Sequence, residues 1–338
     1  MATNHSAIKF KVAEDLGDWM GIVIPIFFPE ENRFEYKFLH HQDHDGISMM
    51  TQLMMDRGLE VTSQPTLKET HIPGRRHRMK LLSQFIQLTK KVNLKWKHKI
   101  AKTGRPECFA HIYLGRTGTK DLEILSKDKD VSLTTWLLFH LDLVITKNLL
   151  DADSDRKWVL PLNMRTQTTP LQSGNHSASI IINIKNKSTP QEIHQQMRQF
   201  LKKQLQWGSS LYSNMAGLIG YRGTRWVAKK IKDVGTGVFS NLGHWPIGLN
   251  DDISANLKNE AWGVVAPASQ VLPVAAAMII WDGQISLTLQ FHPSLEVTPQ
   301  QTEAIASQWI QSALRENYQF RPFELNLIYY ENLSIPET

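Results

Sequence analysis

Seven consecutive residues, His40-His41-Gln42-Asp43-His44-Asp45-Gly46, hold three imidazoles and two carboxylates. An imidazole titrates near neutral pH, so a histidine here could take the proton from a hydroxyl or amine as that group attacks an electrophile. The same residue types could ligate a metal, but the rest of the chain offers no obvious set of remaining ligands with a second shell. Glycine at position 46 permits a close backbone approach that a side chain would obstruct. The spacing is His-His-x-x-x-Asp-Gly, with His41 and Asp45 separated by three variable positions.

Such a segment needs elements to hold it. Two short apolar runs, GIVIPIFFP and FEYKFLHH, read as a hairpin around the turn-forming EENR. The second run leads directly into the histidines, and ISMMTQLMMDRG after them has the content and final glycine of a short buried helix. The segment is therefore expected at a strand-to-helix junction. Further on, FAHIYLG, WVLPLNMR, SASIIINIK, GVFSNLG, AWGVVAP, VAAAMIIW and ISLTLQF read as strands. SLTTWLLFHLDLVITKNLL with Ser132 as N-cap, TPQEIHQQMRQFLKKQLQW with Pro190 at its first position, and TPQQTEAIASQWIQSAL read as helices. Strands and helices alternate, so the expected class is α/β or α+β. Turn formers and polar residues cluster in 151–176, which puts the expected division between residues 1–165, an N-terminal lobe, and 166–338, a C-terminal lobe.

With 338 residues, 41% of them hydrophobic, the chain can bury one large core or two ordinary ones. Cys108 is the single cysteine, which excludes an intrachain disulfide and thiolate-rich zinc frameworks and fits a reducing compartment. The first residues carry charges where a secretory signal needs an apolar run, and Pro267 and Pro273 interrupt the longest uncharged stretch. The expected location is cytoplasmic. Net charge is +6 and unevenly placed: residues 68–105 hold twelve Lys or Arg against Glu69. Within that block Leu82, Phe85, Ile86, Val92, Trp96 and Ile100 recur near helical spacing, as in a helix packed on its apolar stripe or a docking surface for a carrier protein, coenzyme A phosphates or anionic lipid. No nucleic-acid module accompanies the charge.

The heptapeptide resembles the His-His-x-x-x-Asp-Gly signature of the superfamily containing chloramphenicol acetyltransferase, nonribosomal peptide condensation domains, wax ester synthases and alcohol acyltransferases. Other segments are similar in the same order: Pro161-x-Asn163-x-Arg165, then Gly174-Asn175, then Ser240-Asn241-Leu242-Gly243, with the outline running over residues 20–316. The resemblance implies two acetyltransferase-like lobes forming a pseudo-dimer with a channel between them. It implies His41 as general base, Asp45 as a structural partner of Arg165, Gly46 as a backbone requirement, and His40 as a packing residue. Ser240, or second Asn241, would donate to the oxyanion of a tetrahedral intermediate. Acyl-CoA or a phosphopantetheine-linked acyl group is the implied co-substrate, an alcohol or amine the acceptor, with no bound cofactor or metal.

Two departures matter. Members of that superfamily carry a much longer segment before the motif than the 39 residues here, so the first lobe is expected to be shortened. Their Asp-Phe-Gly-Trp element is absent. A noncatalytic, condensation-like module that binds a carrier protein through its basic segment is thus the alternative from another class. The His-x-Asp-His half of the metallo-β-lactamase pattern at His41–His44, with Leu39 where the first ligand would stand, leaves a metal-dependent hydrolase as a third.

Overall fold

Strand β1 (Gly21–Phe28) is a run of branched and aromatic residues buried along almost all its length, and it pairs antiparallel with β2 (Arg33–His40) from Gly21 opposite His40 to Phe28 opposite Arg33. Asn32, at φ 48°, makes the turn between them. A two-residue strand from the far half of the chain, β7 (Ala261–Trp262), joins the other edge of β1. The run read as AWGVVAP thus pairs at Ile26 and Phe27, and continues with a bond from Gly263 N to Pro25 O and an isolated bridge from Val265 to Val23.

The computed structural model describes residues 5–58, 73–90, 92–165, 175–230, 234–245, 260–314, 318–321 and 324–333. Besides the three-stranded sheet it holds a mixed seven-stranded one, built from β3 (Cys108–Leu114), β4 (Arg156–Asn163), β5 (Ser177–Ile184), β6 (Gly237–Trp245), β8 (Val274–Trp281), β9 (Gln284–Phe291) and β10 (Leu325–Tyr329) in the order β10-β3-β9-β8-β6-β4-β5. Strand β6 runs parallel to both neighbours and the other pairs are antiparallel. The division expected between residues 165 and 166 runs through this sheet. Strand β4 before it pairs with β5 after it over eight residues, and β3 pairs with β9, so ladder hydrogen bonds join what composition alone divides.

Alternation along the strands sends side chains to two cores. One face, with Trp158, Phe239, Ala276 and Met278, packs under α4 (Arg116–Asp128), α5 (Leu133–Leu149), α6 (Pro190–Lys202) and α8 (Pro299–Leu314). The opposite face offers Leu242, Ala277, Ile279 and Trp281 to β1, β7 and helix α2 (Gly46–Asp56). Ser132 caps α5 through a bond from Thr135 N, and Thr189 forms a capping box with Glu192 on α6.

Three helices form a further group: α1 (His5–Asp15), α3 (Arg75–Leu88) and α7 (Leu205–Lys230), with both α1 and α3 packed on α7. The basic helix is shorter than its periodicity suggests. Residues 93–97 instead pair with the end of α5: Lys97 N donates to Leu149 O, Asp151 N to Lys95 O, and Lys97 Nζ to Lys147 O at 2.7 Å. A cation at the exposed carbonyls of a helix end satisfies acceptors that a longer α3 would leave bare.

Candidate active site

The histidine segment leaves β2 in a tight turn, in which the N–H groups of Asp43 and His44 both donate to His40 O. Helix α2 then starts at Gly46, with Asp45 as its N-cap. Asp45 Oδ1 accepts from Ser48 N at 2.8 Å, and Asp45 N donates to Ser48 Oγ at 3.1 Å. The second carboxylate oxygen serves a different purpose. Asp45 Oδ2 accepts from Arg165 Nη1 at 2.8 Å and from His176 N at 2.8 Å. The Arg165 side chain is fully buried and also donates from Nη1 to Asn163 Oδ1 at 3.0 Å. Both oxygens of one buried carboxylate are therefore committed, one to the helix start and one to the end of β4 and the approach to β5.

Gly46 lies against β6. A Cβ built there would stand 2.8 Å from Leu242 Cδ2, so the bare backbone lets the first turn of α2 sit directly on that strand.

The His41 ring follows from this frame. Its backbone N–H donates to Met20 O at 3.1 Å, and its Nδ1 lies 2.9 Å from His44 O. A carbonyl oxygen only accepts, so Nδ1 carries the proton and Nε2 presents a lone pair. Among the described residues Nε2 has no hydrogen-bond partner. The Phe10 ring of α1 stacks on the imidazole with centroids 4.0 Å apart. The residue as a whole is half-buried, protein surrounds the imidazole closely, and this burial holds its pKa below the ordinary 6.5 despite the carbonyls and Asp45. His41 is thus neutral at neutral pH, in the tautomer that can accept a proton at Nε2.

The other expected residues fall on known faces. His40 points to the α1 side, 3.8 Å from Glu14, at the rim of a cavity of about 700 Å³ that also reaches Asp18, Met20, Phe38 and Arg105. Ser240 pairs with Ala277 and so shares the sheet face of Leu242 and α2. Asn241 pairs with Met278 on the opposite face, where its amide donates to Thr134 Oγ1 at 2.7 Å and its carbonyl accepts from Gly243 N. The structure brings Ser240 to the motif side and turns Asn241 away. Cys108 is buried with its thiol pushed up to about 11, which leaves it without nucleophilic thiolate near neutral pH. Gly174 lies outside the described residues.

Sequence reasoning missed two contributors. Phe10 sits in a stretch whose Ile8, Phe10 and Val12 alternate like a strand, so nothing local announces a helix over His41. His176 acts through its backbone N–H, which no side-chain pattern reports. Among the described residues no group of three or more His, Cys, Asp or Glu could hold a metal ion, so His41, Asp43 and His44 are not drawn into one donor set.

No family model matches the chain, and no curated protein matches it. Solved structures do. A trichothecene 15-O-acetyltransferase from Fusarium sporotrichioides superposes with a TM-score of 0.55 at 13% identity, over 82% of this chain and 66% of that one. The starter condensation domain of rhizomide synthetase, in complex with C8-CoA and Leu-SNAC, gives 0.53 at 10% identity over 83% and 66%. Polyketide synthase associated protein 5 from Mycobacterium tuberculosis gives 0.50 at 14% identity over 85% and 75%. The chain spans just under two thirds of the length of the first two. The mixed α/β architecture is that of condensation domains and acetyltransferase-like acyltransferases.

Proposed function

We propose that the chain transfers an acyl group from a thioester, on coenzyme A or on the phosphopantetheine arm of a carrier protein, to an alcohol or amine, with His41 as general base. The observation that carries this reading is the His41 ring, whose Nδ1–H is held by the His44 carbonyl, which leaves Nε2 the acceptor nitrogen, with no partner among the described residues, at a junction locked by Asp45 and Arg165. The likeness to an acetyltransferase and to a condensation domain holding C8-CoA supports it.

In this mechanism Nε2 takes the proton of the acceptor O–H or N–H as its oxygen or nitrogen bonds to the thioester carbon. The carbonyl oxygen gains the displaced electron pair and becomes an oxyanion, toward which Ser240 Oγ donates. Collapse re-forms the carbonyl and breaks the C–S bond, and the imidazolium returns its proton to the departing thiolate. Asp45 and Arg165 touch no substrate; they position the turn. Turnover of a panel of acyl thioesters by His41→Ala is the test: a fall of about 100- to 10,000-fold is expected for loss of a general base, and unchanged turnover removes His41 from the mechanism.

One observation favours a second reading. Phe10 covers a face of the imidazole, as suits a noncatalytic module that docks a carrier protein through Arg75, Arg76 and Arg78. Capture of acyl carrier protein that survives His41→Ala but fails when those arginines are neutralised, with no turnover by the unaltered chain, would select it.

A further inference from the structure

The second half of α7 carries a surface that acyl transfer does not use. Leu218 is 79% exposed, Trp226 62% and Ile219 48%, and Val227 is exposed beside them. The helix breaks at Gly220, with φ 67° and ψ −179°, so Leu218 and Ile219 are the last residues before the change of direction and Trp226 and Val227 follow it. Past the break Arg222, Trp226, Lys229 and Lys230 fall three and four residues apart, so they share one face, and all four are exposed. Lys230 Nζ stands 3.8 Å over the Trp226 ring. From Leu205 to Lys230 the chain has four Lys or Arg and no Asp or Glu. A solvated helix face normally hides its large apolar groups and mixes its charges; this one does neither.

We propose that this half of α7 docks on an anionic lipid surface, with Trp226, Leu218 and Ile219 entering the headgroup boundary while Arg222, Lys229 and Lys230 meet lipid phosphates. The pairing of side chains selects the occupant: an indole suits the interface between water and acyl chains, lysine stems lie along apolar surface with their charges in the headgroups, and Arg222, Lys229 and Lys230, against the neighbouring carboxylate of Asp15 beside Tyr221, complement a negatively charged leaflet. Helix α3, with Arg75 and Arg76 exposed, packs on the same α7 and adds to the positive field. The docking helix is also tied to the candidate active site. Tyr221 donates to Asp15 at the end of α1, Lys9 lies 5.5 Å over the Tyr212 ring, and α1 carries the Phe10 that covers His41. The surface stands on its own, whatever reaction His41 serves.

Flotation of the full chain with phosphatidylcholine vesicles, with and without phosphatidylglycerol, tests this. Flotation is expected only with the anionic lipid and is expected to weaken as salt is raised. Lys229→Gln with Lys230→Gln should weaken partition by about thirtyfold, at roughly fivefold per cation. Leu218→Asn with Trp226→Gln should weaken it by at least about tenfold through lost apolar burial. Both pairs lie on exposed positions, and thermal melts establish that each variant is folded. No flotation by the unaltered chain, flotation of either variant equal to that of the unaltered chain, or equal binding to neutral vesicles overturns the proposal. Self-association abolished by the Leu218 and Trp226 changes, without lipid binding, assigns the patch to a second copy and overturns it as well.

Discussion

His41 owes its readiness to a neighbour's backbone, since the His44 carbonyl fixes the proton on Nδ1 and burial keeps the ring neutral. If His41 is the base, as proposed, protonation of Nε2 removes it, so activity is expected to be lost as pH falls through a pKa below 6.5, with no loss between that pKa and neutrality. A pH profile of kcat/KM measures this, and an acid limb at or above 6.5 contradicts it. The same scale separates the two oxyanion candidates. Ser240→Ala is expected to lower kcat by about 100- to 1,000-fold, the usual cost of one oxyanion donor. Asn241→Ala removes a bond to Thr134 on the far face, and is expected to show in the melting temperature rather than in kcat.

At the scale of elements, the site is a strand, a turn and a helix clamped to a second sheet by one ion pair. Removing one partner of a buried pair strands the other charge, so Arg165→Met is expected to cost about 3–5 kcal/mol in urea unfolding. Asp45→Asn combined with Arg165→Met should cost less than the two separate losses added together. Gly46→Ala tests the packing of α2 on β6. The added methyl meets Leu242 Cδ2, for an expected cost of about 1–3 kcal/mol, and Leu242→Ala should relieve most of it. Helix α7 uses glycine in the same way. A Cβ at Gly208 would stand 2.4 Å from Leu81 O, so the residue that weakens the helix signal is the one that lets α3 pack close.

Across the whole molecule, buried histidines set an acid limit. His111 is fully buried, has no hydrogen-bond partner at either ring nitrogen among the described residues, and is held by burial at a pKa of about 3. His140, bonded to Ser312 Oγ at 2.7 Å, is held at about 4. The unfolded chain takes up these protons near pH 6.5 while the folded chain refuses them, so stability is lost as pH falls from 6.5 toward 3. For His111 the loss is about 2 kcal/mol by pH 5. Urea unfolding at pH 7 and pH 5 is expected to show that difference shrinking by a similar amount in His111→Phe; an unchanged difference would remove His111 as its source.

Local chemistry fixes what local patterns can report. The spacing of His41, Asp45 and Gly46, the apolar runs of β1 and β8, and the caps at Ser132 and Thr189 are settled within a few residues, and each is legible in the chain itself. The Arg165 partner of Asp45 was reached only through resemblance, because 120 positions separate them. What tertiary structure alone decided is whatever depends on distant backbone. It joined β4 to β5 across the expected division, ended the basic helix at α5, laid an alternating segment over His41 as a helix, and turned Asn241 away from Ser240. Ladder pairing and helix packing are made between segments with no common sequence period, so only the folded chain brings their donors, acceptors and side chains within reach.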